Sequence, residues 1–141
     1  MRDGLRAGGR LGVSVHGRNV PFFTSILDAV TEYIPDYVQP GTPELDRYST
    51  EDALREEISN AEFSDVVVNG YTFGYSPGSF EQYWTDYLRY VAKPVKEKIA
   101  SLGTVQRTEL MEAVRSNTAP FTEGDGTIRF PWEVLILTAK R

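Results

Sequence analysis

His16 is the only histidine of the chain, and this removes much catalytic chemistry at once. A two-histidine metal site or a His-Glu-x-x-His helix is impossible, and with no cysteine there is no thiolate ligand, disulfide or Cys nucleophile. A Ser-His-Asp triad would have to use His16, and no nucleophile elbow is expected to supply its serine. No phosphate loop ending in Gly-Lys-Ser/Thr is present. Gly124-Asp125-Gly126 runs into an apolar strand pattern rather than out of a strand into a helix, so it reads as a tight turn and not as a pyrophosphate cradle. The acidic pairs Glu51-Asp52 and Glu56-Glu57 lie opposite an apolar helix stripe and read as solvated surface. His16 falls at the carboxyl end of a predicted strand, where open α/β sheets collect ligands. A lone histidine there reads first as a hydrogen-bonded structural group.

The aromatic side chains are the other signal. The chain carries 7 Phe, 8 Tyr and 2 Trp, and eight of them cluster as Tyr71, Phe73, Tyr75, Phe80, Tyr83, Trp84, Tyr87 and Tyr90. Strand aromatics facing helix aromatics make a core by default. A dry core favours Leu, Ile and Val over Tyr and Trp, so a partly open aromatic cavity for an organic substrate is the second reading.

The elements that would hold these residues follow from periodicity. Leu11, Val13 and Val15 alternate with small residues, predicting a strand over Arg10–His16 covered on both faces. Asn19 caps and Pro21 opens a helix whose apolar face is Phe22, Phe23, Ile26, Leu27, Val30, Tyr33 and Ile34, ended by Pro35. A loop over 36–48, with Pro40, Gly41 and Pro43, leads to a short helix starting at Ser49 or Thr50, its stripe Leu54, Ile58 and Ala61. Val66-Val67-Val68 opens a second strand that continues through Tyr71, Phe73 and Tyr75 on one face. Ser79 and Gln82 form a capping box for a helix with Phe80, Tyr83, Trp84, Tyr87, Leu88 and Val91 on one side. Pro94 opens a further helix with Val95, Ile99 and Leu102. Thr104 caps another, with Val105, Met111 and Val114 inward. After the Glu123–Gly126 turn, Ile128 and Phe130 lead into an apolar strand over 132–139. The order predicts an α/β fold with at least one parallel pair joined by a right-handed crossover.

At 141 residues, with 40% hydrophobic and 25% charged residues, the chain is expected to be a single domain over 1–141. A net charge of -5 without a basic stripe argues against nucleic acid as a partner. The run Val134–Leu137 is far too short for a membrane span, and Met1–Gly4 opens no signal-peptide pattern. The expected location is the cytoplasm.

The segment Leu5-Arg6-Ala7-Gly8-Gly9-Arg10-Leu11-Gly12-Val13-Ser14-Val15 resembles the Leu-x-Pro-Gly-Gly-x-hydrophobic lead into the fifth strand of class I S-adenosylmethionine-dependent methyltransferases, with Ala7 in place of proline. Arg47-Tyr48-Ser49-Thr50-Glu51-Asp52-Ala53-Leu54 is similar to that family's following helix entry. Ala61-Glu62-Phe63-Ser64-Asp65-Val66 looks like its lead into strand six, with Glu62 replacing a glycine, so that the helix end must turn by other means than an easy left-handed residue. Ser79–Trp84 and Phe130–Lys140 complete a resemblance to the ubiquinone-biosynthesis-like, type 11 small-molecule branch. It covers nearly the whole chain in order.

The resemblance implies a partial Rossmann-like methyltransferase sheet of strands five, seven and six, the last antiparallel between the others, with helices forming a substrate lid. It implies that the chain is the C-terminal half of such an enzyme, without the N-terminal half that grips the cofactor. S-adenosylmethionine is then the cofactor of the full-length family, and none is expected to bind this chain alone. His16, Tyr48, Tyr83 and Trp84 are the substrate-side candidates, with no family motif marking any as catalytic. The partners implied are a small organic substrate, and either the missing half or a second copy at the exposed flank of the first strand. That strand is expected at an interior position of the complete sheet. A non-catalytic small-ligand-binding or dimerisation module is the alternative.

Overall fold

A computed structural model of the protein describes residues 4–18, 20–35, 47–90 and 93–141. Asn19 as a cap, residues 36–46 of the Pro- and Gly-bearing loop, and Val91 lie outside the described residues. The elements run β1 (Arg10–His16), α1 (Pro21–Tyr33), α2 (Glu51–Asn60), β2 (Ser64–Gly78), α3 (Phe80–Tyr90), α4 (Lys93–Ser101), α5 (Thr104–Thr118), a 3-10 turn at Ala119–Phe121, and β3 (Ile128–Lys140). The fold is mixed α/β with one open three-stranded sheet in the order β1-β3-β2.

β3 pairs antiparallel with β1, from Arg10 opposite Lys140 to His16 opposite Val134. Along β2 the neighbours on β3 descend as β2 ascends: Asp65 meets Lys140, Phe73 stacks on Trp132, and Gly74 faces Arg129. The last strand therefore lies between the first and the second, antiparallel to both. β1 and β2, the parallel pair expected from the element order, run in the same direction but share no hydrogen bonds, because β3 returns between them. Within this sheet β1 is a border strand, not an interior one.

The chain forms two compact units. The first comprises Met1–Val20, Pro43–Phe73 and Trp132–Arg141. Its core is Leu54 and Ile58 of α2, Phe63, Val68 of β2, and Leu135, Leu137 and Ala139 of β3, with Leu11, Val13 and Val15 half-buried against it. Only one face of the β1 pattern is covered, for Arg10, Gly12 and Ser14 are exposed. Their small or charged side chains bury little area and draw no helix over that face. Thr50 caps α2 by accepting the Ala53 N–H at 3.2 Å. Ala61, expected in the buried stripe, is the exposed C-cap, and Phe63 fills the core instead.

The end of α2 departs from expectation in a second way. Glu62 itself takes the left-handed conformation, φ 59°, without glycine's freedom. It is held by a Schellman pair, Glu62 N–H to the Ser59 carbonyl (3.0 Å) and Phe63 N–H to the Ile58 carbonyl (3.4 Å), with Ile58 and Phe63 both in the core.

The second unit comprises Pro21–Thr42 and Gly74–Pro131. Ile26, Ala29, Val30 and Ile34 of α1 pack with Phe80 and Tyr83 of α3, Val95 and Ile99 of α4, Leu110 and Val114 of α5, and Ile128 and Phe130. The capping box forms reciprocally: Ser79 N–H donates to Gln82 Oε1 at 2.8 Å, and Gln82 N–H to Ser79 Oγ at 3.3 Å. Gly103, not Thr104, is the N-cap of α5, and Leu110, Val114 and Thr118 are its buried residues, with Met111 half-buried against the same core as expected. Val105, expected inward, is 70% exposed.

Candidate functional site

Of the four substrate-side candidates, His16 and Tyr48 belong to the first unit and Tyr83 and Trp84 to the second. His16 ends β1, half-buried, and its Nδ1 donates to the Gly17 carbonyl at 3.0 Å. Tyr48 packs against the core of the first unit, with the Arg47 guanidinium 5.1 Å above its ring.

Tyr83 and Trp84 are successive residues of α3 and take opposite environments. Tyr83 is fully buried, its hydroxyl donating to the Phe22 carbonyl. Burial pushes its phenol well above the usual range, and the neighbouring Tyr87 adds to the shift. Its ring packs 5.3 Å from Phe22 and 5.2 Å from Phe130. Phe22 also meets Tyr75, and Phe121 meets Phe130. These contacts are a packed aromatic core in the second unit rather than an open cavity. Trp84 instead lines a cleft of about 240 Å³ with Leu102, Thr104, Arg107, Thr108 and Met111. Arg107 and Met111 lie one turn apart on α5, so a cation and a thioether border the indole. The cleft joins α3 to α5 across the intervening α4, so no contiguous motif marks it in the sequence. The four-residue spacing from Arg107 to Met111 was its only trace.

In the first unit, the sheet face opposite the core carries exposed apolar side chains. Val67 (49%), Tyr71 (56%) and Phe73 (49%) of β2 and Ile136 (41%) of β3 show there, with Trp132 stacked on Phe73 at 6.3 Å and 16°. Near the starting end of β1 the same face forms a depression lined by Arg10, Gly12, Asp65, Val67, Thr138 and Lys140. Lys140 Nζ reaches Asp65 Oδ2 at 2.7 Å, and this hydrogen bond and charge hold the Asp65 carboxyl below its ordinary value.

The letters of a nucleophile elbow occur at Gly74-Tyr75-Ser76-Pro77-Gly78. No elbow forms. Ser76 lies within β2 at negative φ, three residues before Ser79, and its Oγ accepts the Gly78 N–H at 3.3 Å. A nucleophile elbow instead places its serine on the sharp turn itself. The acidic residues Glu51, Asp52, Glu56 and Glu57 are exposed as expected. Among the described residues no group of three His, Asp or Glu side chains is placed to hold a metal ion.

No family model matches the chain, and no curated protein is found similar to it. The family question therefore rests on the residues themselves, and the cofactor the resemblance implies can be tested against them. Neither the Gly124–Gly126 turn nor the end of β1 is shaped to cradle S-adenosylmethionine. Gly124 and Gly126 sit in the turn before β3, where Gly126 N–H donates to the Glu123 carbonyl at 2.9 Å and Thr127 N–H to Asp125 Oδ1 at 2.9 Å. Those donors are committed to the turn. The end of β1 is closed as well: Gly17 N–H donates to the Glu133 carbonyl at 2.7 Å, and a side chain at Gly17 would collide with the Glu133 carboxylate. Among the described residues no helix is long and apolar enough to cross a membrane.

Proposed function

We propose that this chain is the substrate-side portion of a cytoplasmic S-adenosylmethionine-dependent small-molecule methyltransferase, inactive alone, with the cofactor gripped by residues outside those described. One observation carries the reading: the sheet order β1-β3-β2, with the last strand antiparallel between the first and second, is the order that the resemblance implies for strands five, seven and six. The free rim of β1 is where a cofactor-holding portion would continue the sheet, through backbone groups that a neighbouring strand satisfies. The helices of the second unit would then form the lid, with the Trp84 cleft facing an organic substrate without a nucleic-acid partner. Catalysis in this reading is positioning of the acceptor and exclusion of water rather than acid–base work, and no clustered titratable site is required of this chain.

The test is photo-cross-linking of radiolabelled S-adenosylmethionine in native lysate, followed by capture with an antibody against this chain. Label on the captured polypeptide, or on one bound to it, supports the reading. Capture of the chain without label refutes it. The exposed aromatic face of β2 favours a second reading, a non-catalytic ligand-binding or dimerisation module. Binding of an apolar small molecule without any methyl donor is its signature.

A further inference from the structure

The hydrogen bonds flanking the β1–β3 pair fix which backbone groups of β1 point away from the sheet. Gly17 N–H donates to Glu133 O at one end, and Arg141 N–H donates to Gly9 O (2.9 Å) at the other. In an antiparallel ladder, bonded and non-bonded pairs alternate. Leu11, Val13 and Val15 thus direct their N–H and C=O groups toward β3, in register with Ala139, Leu137 and Leu135. Arg10, Gly12 and Ser14 direct theirs outward, where no described strand pairs with them. This rim holds no proline, no lysine and no inward-pointing charge, and Arg10 at its start is its one charged side chain. A side chain built at Gly12 would meet nothing within 4 Å, so the sheet face beside the middle of the rim is uncovered.

We propose that a second copy of this chain occupies that rim, β1 pairing antiparallel with β1 about a two-fold axis at Val13 and joining two sheets into one. The strand's own residues select this register. With Val13 opposite Val13, the core-side face presents Leu11 to Val15 of the other copy and Val13 to Val13, aliphatic pairs throughout. On the other face Gly12 meets Ser14, and Arg10 meets His16 rather than another arginine. All seven residues of β1 are paired. A shift of two residues in either direction leaves Leu11 or Val15 without an aliphatic partner. Because the outward groups belong to Arg10, Gly12 and Ser14, the Val13 pair on the axis is a non-hydrogen-bonded one. Its Cα atoms would lie about 4.5 Å apart, within disulfide reach. A second copy and a cofactor-holding portion exclude one another on this rim, so the contact is that of the chain by itself.

Light scattering and sedimentation of the full chain test it, together with three variants. The unmodified chain should show twice the monomer mass at high concentration. Gly12→Pro should lose the dimer while keeping its circular dichroism, because the removed N–H points outward, where an edge strand tolerates proline. The chain has no cysteine, so any disulfide in Val13→Cys joins two copies. Val13→Cys should oxidise to a linked dimer, and Ser14→Cys, offset from the axis, should link more slowly. A monomer at every concentration, or Ser14→Cys linking as readily as Val13→Cys, overturns the proposal. If Gly12→Pro fails to fold, the two cysteine variants still decide. A monomer result leaves the cofactor cross-linking test untouched, and failure of that test leaves the dimer untouched.

Discussion

Tyr83→Phe should reverse its effect on stability between neutral and alkaline pH. Tyr83 is the largest fully buried side chain, and its one polar atom donates to the Phe22 carbonyl. Removing the hydroxyl costs about 1 kcal/mol, the usual net worth of a buried hydrogen bond. Ionisation works the other way. In the unfolded chain the phenol titrates at its ordinary value near 10.0, whereas burial raises it in the folded protein. Above pH 10 the unfolded state thus binds fewer protons than the folded one. The stability that Tyr83 contributes is fully present below pH 10 and falls by about 1.4 kcal/mol per pH unit above it. The two effects cancel near pH 10.6, taken as about 0.6 unit above the unfolded value. Urea titrations of both proteins from pH 8 to 11.5 measure this directly. The unmodified chain should be more stable below the crossing and less stable above it. Parallel pH profiles would show that Tyr83 is not held neutral by the fold, and the packed aromatic core of the second unit would lose its chief support.

Two further effects concern the first unit. Glu62→Gly should stabilise it by about 0.5–1 kcal/mol in denaturant titration, because the left-handed penalty of about 1–2 kcal/mol exceeds the entropy glycine loses on folding. An unchanged or lower midpoint would mean that the Glu62 side chain makes up for its backbone. Leu137→Ala should cost about 2–5 kcal/mol by cavity formation, whereas Ile136→Ala, one residue away on the exposed face, should cost under about 1 kcal/mol. Equal losses in thermal melts would mean that both faces of β3 are covered.

Local chemistry was legible in the sequence wherever a few adjacent residues settle the outcome. Ser79 and Gln82 cap α3 reciprocally, and Gly126, at φ 85°, makes the turn before β3. The stripe of α1 was readable for the same reason, since Ile26, Val30 and Ile34 share one face whatever packs on it. Errors arose where burial depends on distant partners. Val105 has an apolar side chain, but α5 turns toward Leu110 and Val114, leaving it in solvent. The alternation in β1 suits a buried or a border strand equally, and only β3, far along the chain, decides which. Of the candidate site, Trp84 was readable as an aromatic on a helix. Its neighbours Arg107 and Met111 were not, because their proximity is created by folding.

The place of β3 has a consequence for how the chain acquires its structure during synthesis. Arg10 must await Lys140, nearly the whole chain later, before its rung closes. Within this sheet β1 and β2 await the same neighbour, since neither pairs with the other. Such long-range closure makes slow folding. Until Ile128–Lys140 has emerged, Val68 and the aliphatic side of β1 stand open to chaperones and to unwanted association alike.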